Sequence, residues 1–300
     1  MIHKIEYKDR KSVISCYLPE GSVPDKKAMA ELYQMTALEE TLERLTAAPF
    51  FFPESEPRIE KIILTPDFHK GAGIPIGTVM MTRGFAVPQA MGNDINCGMR
   101  FYTTDLSEEQ IREKLPELTK KIRHIFFEGG RQIPMTGRQR EALFRYGLEG
   151  LLETNRDSKG SGLWEYYQPE TQERWLNRTV FRGSLKADHT EGLEDFIGSY
   201  DQLTYDDQIG TIGGGNHFLE VQRVAEIYDG QTANAWKIRK GAVAVMLHAG
   251  SLTIGHHGGL LNRKICQEIY PAGLPHPENK IYPIPENGAS PEAWNRFRSA

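Results

Sequence analysis

The segment MGNDINCGMR, residues 91–100, brings a carboxylate and a thiol close together in the chain. Asp94 and Cys97 are three residues apart, and the neighbouring Gly92 and Gly98 permit a constricted turn. In such a turn both side chains can face one small volume, where a carboxylate and a thiolate repel each other. A divalent metal ion between them would remove the repulsion and deprotonate the thiol. The alternative is a buried small cysteine beside an aspartate that caps a turn.

Glycines and polar side chains occur together again in GTIGGGNHFLE, residues 210–220. Three successive glycines expose backbone amides that can hold phosphate oxygens, and Asn216 and His217 follow directly. The alternative is a glycine-rich hairpin with a surface histidine. In LHAGSLTIGHHGG, residues 247–259, His248 ends the apolar run AVAVML. A histidine in that position is either a satisfied core residue or a ligand.

These segments together offer carboxylate, thiol and imidazole donors to a metal ion, at Asp94, Cys97, His217 and His248. A mixed set of oxygen, sulfur and nitrogen donors suits Zn, Mn, Fe or Co better than Mg or Ca. The sequence therefore predicts a transition-metal site assembled from distant parts of the chain.

A fourth segment, TPDFHKGAG at residues 65–73, carries Asp67 and His69 two positions apart. In a strand these side chains would share a face. Asp67 then either orients a histidine elsewhere and fixes its tautomer, or stabilises a turn after Pro66.

The elements that must position these residues are of both kinds. Residues 26–46 carry apolar side chains at spacings of three or four behind Asp25, which predicts an amphipathic helix. Residues 61–88 hold short apolar runs between glycines and prolines, which predicts strands and tight loops. Capping-box patterns that begin at Ser107 and Thr136 each predict a helix.

Strand-like sequence returns in HFLEVQRVAEI and GAVAVMLHAG, and helices are expected in LLNRKICQEIY and after Ser290. Because strands and helices do not alternate regularly, we expect an α+β fold. We expect one large domain over residues 1–300, with a central β-sandwich-like core flanked by helices. Residues 155–162 are predicted to be a mobile surface loop. Aromatic residues in 162–175 are either a helix face or a nucleic-acid stacking platform, and we favour the helix.

Composition limits the class of protein. A formal net charge of −4 gives no global basic field for nucleic acid, although a local basic surface is compatible with it. Three scattered cysteines argue against a disulfide framework and for a reducing compartment. The N-terminal residues lack the apolar run of a signal peptide, and no segment is long and apolar enough to span a bilayer. We therefore expect a cytoplasmic protein.

The four segments, in this order and spacing, resemble the RtcB family of RNA ligases, from about residue 50 to residue 260. GNDINCGMR is similar to that family's Asp-x-x-Cys metal signature, GTIGGGNHFLE to its Gly-Asn-His-Phe-x-Glu signature and HAGSLTIGHH to its His-x-Gly-Ser signature. The resemblance implies a GTP- and Mn-dependent ligase for RNA repair or tRNA splicing. Such an enzyme joins RNA ends bearing a 2′,3′-cyclic phosphate or 3′-phosphate to 5′-hydroxyl ends, through a GMP-histidine intermediate.

The same resemblance implies individual roles. The metal ligands would be Asp94, Cys97, His217 and His248, which would hold two Mn ions (Zn or Co being alternatives) with Cys97 bridging. Asn216 would hold a nucleotide phosphate, Phe218 and Glu220 would meet the guanine, and Asp67 would orient the nucleophilic histidine. The implied partners are RNA ends from tRNA or damaged RNA, GTP and an accessory activator protein.

The sequence departs from the family pattern in places. The family's nucleophilic histidine lies well beyond the third signature, where this chain offers only His276, so we expect the chain to lack the C-terminal part of such an enzyme. Leu252 stands where the family motif continues with an arginine, and TYDDQI stands where related sequences often have arginines. Two alternatives therefore stay open. One is a metal-dependent phosphohydrolase on the same scaffold, and the other is a non-catalytic module that retains metal or nucleotide.

Overall fold

A computed structural model describes residues 3–18, 21–48, 50–52, 56–92, 94–128, 133–157, 162–164, 167–205, 209–288 and 290–300. The strands in these residues are β1 (His3–Glu6), β2 (Val13–Cys16), β3 (Arg58–His69), β4 (Ile76–Arg83), β5 (Phe85–Ala86), β6 (Gly98–Ser107), β7 (Pro134–Met135), β8 (Thr204–Tyr205), β9 (Phe218–Arg223), β10 (Ala242–Ala249) and β11 (Ile284–Pro285).

The α-helices are α1 (Lys26–Thr36), α2 (Leu38–Thr46), α3 (Glu108–Ile111), α4 (Leu115–Phe127), α5 (Gly137–Glu153), α6 (Pro169–Leu176), α7 (Glu194–Ile197), α8 (Gly230–Ala235), α9 (Leu252–Glu268) and α10 (Pro291–Ser299). Short 3-10 turns cover Pro88–Met91, Arg112–Lys114, Thr154–Asp157, Gly162–Trp164 and Val180–Gly183. The α+β class is confirmed. Within the described part of the chain, every helix is too short or too polar to cross a lipid bilayer.

The chain divides into two compact units. The first consists of residues 1–92 and 258–300, and the second of residues 93–257. The single catalytic domain and the sandwich-like packing of its sheets stay predictions. The mobile loop also stays a prediction, because residues 158–161 lie outside the described ranges.

A four-stranded sheet, in the order β1-β2-β3-β4, organises the first unit. Strands β2 and β3 pair in parallel, so α1 and α2 form the crossover between them. The expected helix over 26–46 is present with Asp25 as its cap, but it breaks at Ala37. Just before the break, the Thr36 hydroxyl donates to the Tyr33 carbonyl, 2.7 Å away, which offers the backbone an alternative to helical bonding.

The core of the first unit uses the apolar positions that the helical pattern predicts. Leu32, Leu38 and Leu45 are fully buried, and they belong to the same cluster as Ile62 and Leu64 of β3. One face of the crossover helices therefore covers the sheet.

The second unit is built around an antiparallel sheet in the order β6-β10-β9. His248 of β10 lies opposite Met99 of β6 and Phe218 of β9, so these three side chains share one face, the His248 face. Arg100 of β6 lies opposite Leu247 and occupies the other face, the Arg100 face. Among the described strands, β6 is an edge strand.

Both predicted capping boxes are present in the second unit, at Ser107 and Thr136. The helix expected after Ser107 is nevertheless interrupted, with α3 and α4 separated by a 3-10 turn. Pro116 explains the interruption, because proline lacks an amide hydrogen and clashes with the preceding turn of an α-helix. It sits in the first turn of α4, where it is tolerated.

Candidate metal centre

The Asp94–Cys97 turn lies directly before β6. The Cys97 amide donates to the Asp94 carbonyl over 3.2 Å, and Asn96 adopts a left-handed conformation with φ 60°. Asparagine tolerates this region better than most residues, which suits it to the turn. The turn brings the Asp94 carboxylate and the Cys97 thiol together, as their spacing predicts.

His217 is buried directly before β9, after the glycine turn. Its Nε2 lies 2.7 Å from Asp94 Oδ2 and 3.5 Å from Cys97 Sγ. Its Nδ1 is buried and has no hydrogen-bond partner among the described residues. The side chain therefore presents Nε2 to the carboxylate and the thiol.

His248 reaches the same point from β10. Its Nδ1 lies 3.0 Å from the carbonyl oxygen of Gly98, and its Nε2 lies 3.2 Å from Cys97 Sγ. A carbonyl only accepts, so Nδ1 carries the proton and Nε2 keeps its lone pair toward the thiol. Backbone carbonyls often fix metal-binding histidines in this tautomer.

Asp94 is held from a second side. Its Oδ1 accepts a hydrogen bond of 3.1 Å from the Leu252 amide, at the start of α9. Leu252 has a positive φ of 48°, an uncommon conformation for leucine. A Cβ atom at Gly250 would overlap the Asp94 carboxylate, so only glycine fits there with the carboxylate in place.

The protonation states favour cation binding. Partial burial opposes ionisation of Asp94, but hydrogen bonds from Cys97, the Leu252 amide and His217 outweigh it and lower the pKa of the carboxyl. Partial burial and the Asp94 carboxylate raise the pKa of the Cys97 thiol to about 11. At neutral pH the site thus holds one carboxylate and one protonated thiol. A divalent cation would replace the thiol proton.

The residues present fit a transition-metal ion. One donor atom from each of Cys97, His217 and His248 lies within 4.8 Å of the others, and Asp94 Oδ2 adjoins the group. Thiolate, imidazole and carboxylate donors are the usual ligands of Zn and related ions. Within the described part of the chain, Cys97, His217 and His248 are the one group of three or more His, Cys or acidic side chains whose donor atoms are close enough to share a metal ion.

The family model for tRNA-splicing ligase RtcB matches residues 54–293. The chain belongs to this family. The chain is 34% identical over 250 residues to the tRNA-splicing ligase RtcB of Aeropyrum pernix, covering 79% of this chain and 47% of that protein. It is 32% identical over 248 residues to that of Pyrobaculum aerophilum, covering 80% of this chain and 48% of the relative. The chain spans about half the length of the RtcB relatives it matches.

The residues predicted to bind nucleotide lie beside the metal centre. Asn216 is exposed in the turn before His217. The Phe218 ring centre is 5.5 Å from that of His248. Glu220 is exposed on the His248 face and accepts a 2.7 Å hydrogen bond from Gln222 Nε2. Their roles, like those of the four donors, stay predictions.

Asp67 lies on β3 in the first unit. Its side chain is largely exposed, and its Oδ1 is 3.6 Å from Nδ1 of His69. The hydrogen bond of His69 Nδ1 is to the main-chain carbonyl of Asp67, 2.6 Å away, and the role of Asp67 toward a nucleophilic histidine stays a prediction. His276 is engaged elsewhere in that unit, since its ring stacks on Tyr270 and its Nδ1 lies 3.1 Å from the Tyr282 hydroxyl.

Sequence reasoning missed the groups that hold the donors in place. These are the Leu252 amide, the Gly98 carbonyl and the space beside Gly250. The first two are backbone groups that any residue would supply, so no side chain signals them. Gly250 carried a signal, since a glycine that directly follows a strand permits a close approach of another segment.

Proposed function

We propose that the chain provides the metal and guanine-nucleotide site of an RNA ligase that joins 2′,3′-cyclic-phosphate or 3′-phosphate ends to 5′-hydroxyl ends. The observation that carries the proposal is the convergence of Asp94, Cys97, His217 and His248 in a member of the RtcB family. GTP is the nucleotide, Mn is the metal, and GMP is carried on a histidine during the reaction.

Asp94, Cys97, His217 and His248 would hold two Mn ions, whose charge would neutralise phosphate and polarise the attacked phosphorus. Asp94 contributes an oxygen fixed by the Leu252 amide, and His248 contributes a nitrogen fixed by the Gly98 carbonyl. Because their orientations are set by the backbone, these donors need little reorganisation when a cation binds. Zn and Co are alternatives that the same donors accept.

The guanine nucleotide is proposed to lie along the His248 face. Asn216 would donate its amide to a phosphate oxygen next to the exposed Gly214 and Gly215. Glu220 would accept from the ring N–H groups of guanine, and Gln222 already orients this carboxylate from the side. Phe218 would pack against the nucleoside.

The histidine that carries GMP is not assigned to His276, because that ring stacks on Tyr270 and meets the Tyr282 ring edge to face. Asp67 is proposed to orient the nucleophile through a hydrogen bond that fixes its tautomer. The RNA ends would come from tRNA splicing or RNA repair in the cytoplasm, with an accessory activator protein as a further proposed partner.

The test is nucleotide transfer followed by ligation. The full-length protein is incubated with GTP labelled at the α-phosphate and with Mn, and mass spectrometry then seeks a GMP adduct on histidine. A second reaction supplies RNA with a 2′,3′-cyclic-phosphate end and RNA with a 5′-hydroxyl end. We expect the adduct and a joined product, and we expect Cys97→Ala to abolish both.

The outcomes separate the alternatives. Phosphate release or opening of the cyclic end without joined product would replace the ligase with a phosphohydrolase. Metal binding without adduct, release or joining under Mn, Co and Zn would leave a non-catalytic module.

A further inference from the structure

A basic and aromatic segment stands out from an otherwise acidic chain. Residues 174–186, RWLNRTVFRGSLK, contain Arg174, Arg178, Arg182 and Lys186 at intervals of four and no acidic residue, whereas the whole chain has a formal net charge of −4. We call residues 174–186 the basic segment. It begins in α6, passes through the turn Val180–Gly183 and lies within the second unit.

The basic segment also exposes large apolar side chains. Trp175 is 49% exposed, Val180 77%, Phe181 69% and Leu185 70%. Two exposed aromatic rings among positive charges form a surface that can stack bases and neutralise phosphates. Within the described part of the chain, Arg174, Arg178 and Lys186 form no ion pair with a carboxylate, so their charges face solvent.

The backbone holds Phe181 outward under strain. Phe181 and Arg182 have positive φ values of 49° and 55°, and Gly183 continues the left-handed run at 68°. Such conformations are costly for residues other than glycine and persist only where the surroundings fix them. Here the Arg182 guanidinium is fixed by Glu149, by Glu173 and by the Asn177 side chain. Arg182 thus stabilises the bend, and the exposed ring gains no burial from it.

The basic segment lies against the strand that leads away from the metal centre. Arg100 Nη2 donates to Thr179 Oγ1 over 3.1 Å, and the Tyr102 and Trp175 rings meet edge to face at 6.3 Å. Arg100 follows Cys97 by three residues on the edge strand β6, so these residues are about 10 Å apart at the rise of a strand. That distance corresponds to about three stacked nucleotides of one strand.

We propose that the basic segment, with Arg100 and Tyr102, binds single-stranded RNA next to the end that reacts at the metal centre. Bases stack on Trp175 and Phe181, and phosphates meet Arg100, Arg174, Arg178 and Lys186. The RNA then passes over the edge of β6 from the Arg100 face to Cys97. This inference rests on the proposed RNA ligase function and names the surface that holds the substrate strand.

The charge pattern favours RNA over a peptide on this surface. An apolar peptide could pack against Trp175, Val180 and Phe181, but it would make no favourable contact with the unpaired arginines around them. Spaced cations with exposed rings match a polyanion that carries stacking bases.

The test measures RNA binding without catalysis. A 5′-fluorescein-labelled single-stranded RNA of twelve uridines is titrated with the full-length protein in EDTA without GTP, and fluorescence anisotropy gives the Kd at several salt concentrations. We expect Trp175→Ala and Phe181→Ala each to raise the Kd about tenfold. Arg178→Ala should raise it at low salt and make the plot of log K against log salt shallower by about 0.7.

Two controls separate binding from folding. Phe181→Gly removes the ring and relieves the left-handed strain, so it should weaken RNA binding without lowering the melting temperature. Tyr228→Ala removes another exposed ring, one that lies between Glu226 and Asp229, and should leave the Kd unchanged.

Other results would overturn the proposal. Unchanged Kd values in the Trp175 and Phe181 variants would do so, as would a loss of binding in Trp236→Ala alone, which would place the RNA on the Trp236–Lys240 segment. If the Trp175 and Phe181 variants keep their affinity for RNA and the unaltered protein binds an apolar peptide at Trp175, the surface is a protein-binding site. The binding assay contains no GTP and no metal, so its result can be interpreted even if the ligase proposal fails. Conversely, if this surface does not bind RNA, the proposal of GMP transfer is unaffected.

Discussion

Replacing Gly250 with alanine should damage the metal centre through one carboxylate. An added Cβ would overlap both oxygens of Asp94, so the carboxylate must move. It would lose the 3.1 Å hydrogen bond from the Leu252 amide and the 2.7 Å contact with His217 Nε2. We expect weaker metal binding and a less stable fold.

The magnitude follows from those two contacts. A hydrogen bond to a charged group contributes about 1.5–3 kcal/mol. The Asp94 side chain is 35% exposed, so solvent screening places each contact at the lower end of that range. Loss of both costs about 3 kcal/mol in the free energy of unfolding, and loss of a well-oriented ligand weakens metal binding about 10- to 100-fold.

The measurement is calorimetric titration with Zn and Mn, together with urea unfolding of the metal-free protein. Gly214→Ala is the matched control, because a Cβ there meets no atom within 4 Å. In an Asp94→Ala background, Gly250→Ala should have little further effect, because the clash partner is gone. If Gly250→Ala binds metal as tightly as Gly214→Ala does, Asp94 does not occupy the position that the structure gives it.

Four further predictions concern reactivity and stability. The pKa of about 11 keeps the Cys97 thiol protonated, so its alkylation by iodoacetamide in metal-free protein should be slow at pH 7.5 and should accelerate up to about pH 11. Zn should block the alkylation. Peptide mass spectrometry measures the extent of alkylation, with the buried Cys16 and Cys266 as internal references. Because this folded-state pKa lies above the ordinary value of 9.0, the stability of the metal-free protein should fall as pH rises from about 9 toward 11, and a Cys97→Ala variant should lose that slope in urea unfolding. Leu32→Ala in the first core should lower the free energy of unfolding by about 2–5 kcal/mol, whereas Val23→Ala, at an 89% exposed position, should change it little; equal effects would contradict the burial of Leu32. Thr136→Ala removes the side chain that accepts from the Gln139 amide and should cost about 0.5–2 kcal/mol, with Thr103→Ala at an exposed strand position as comparison.

Local patterns in the sequence predicted much of the fold. The caps at Asp25, Ser107 and Thr136 and the buried leucines of α1 and α2 follow from side-chain chemistry within a few residues. The interruptions at Ala37 and after Ile111 were harder to foresee. The first depends on a hydroxyl that bonds its own helix, and the second on the balance between a proline and an otherwise helical sequence.

The candidate site divides in the same way. Donor types and spacing predicted that Asp94, Cys97, His217 and His248 belong together, because a divalent cation relieves the repulsion between a carboxylate and a neighbouring thiolate. The basic segment was harder to see, because its exposed rings result from a left-handed bend at Phe181 and Arg182. No sequence pattern predicts that bend, because neither Phe181 nor Arg182 favours a left-handed conformation. The ion pairs that hold it come from Glu149 and Glu173.

The pairing of β10 with β6 makes the metal centre sensitive to one-residue changes in the length of either strand. His248 faces the donors because it lies opposite Met99, with Leu247 on the reverse side. Deletion of a single residue within either strand would exchange imidazole for an isobutyl group, whereas added length in the connection between β9 and β10, which carries no donor, would leave the donors undisturbed. Natural variants and designed chimaeras of this protein should therefore accept insertions in that connection and keep the lengths of these two strands constant.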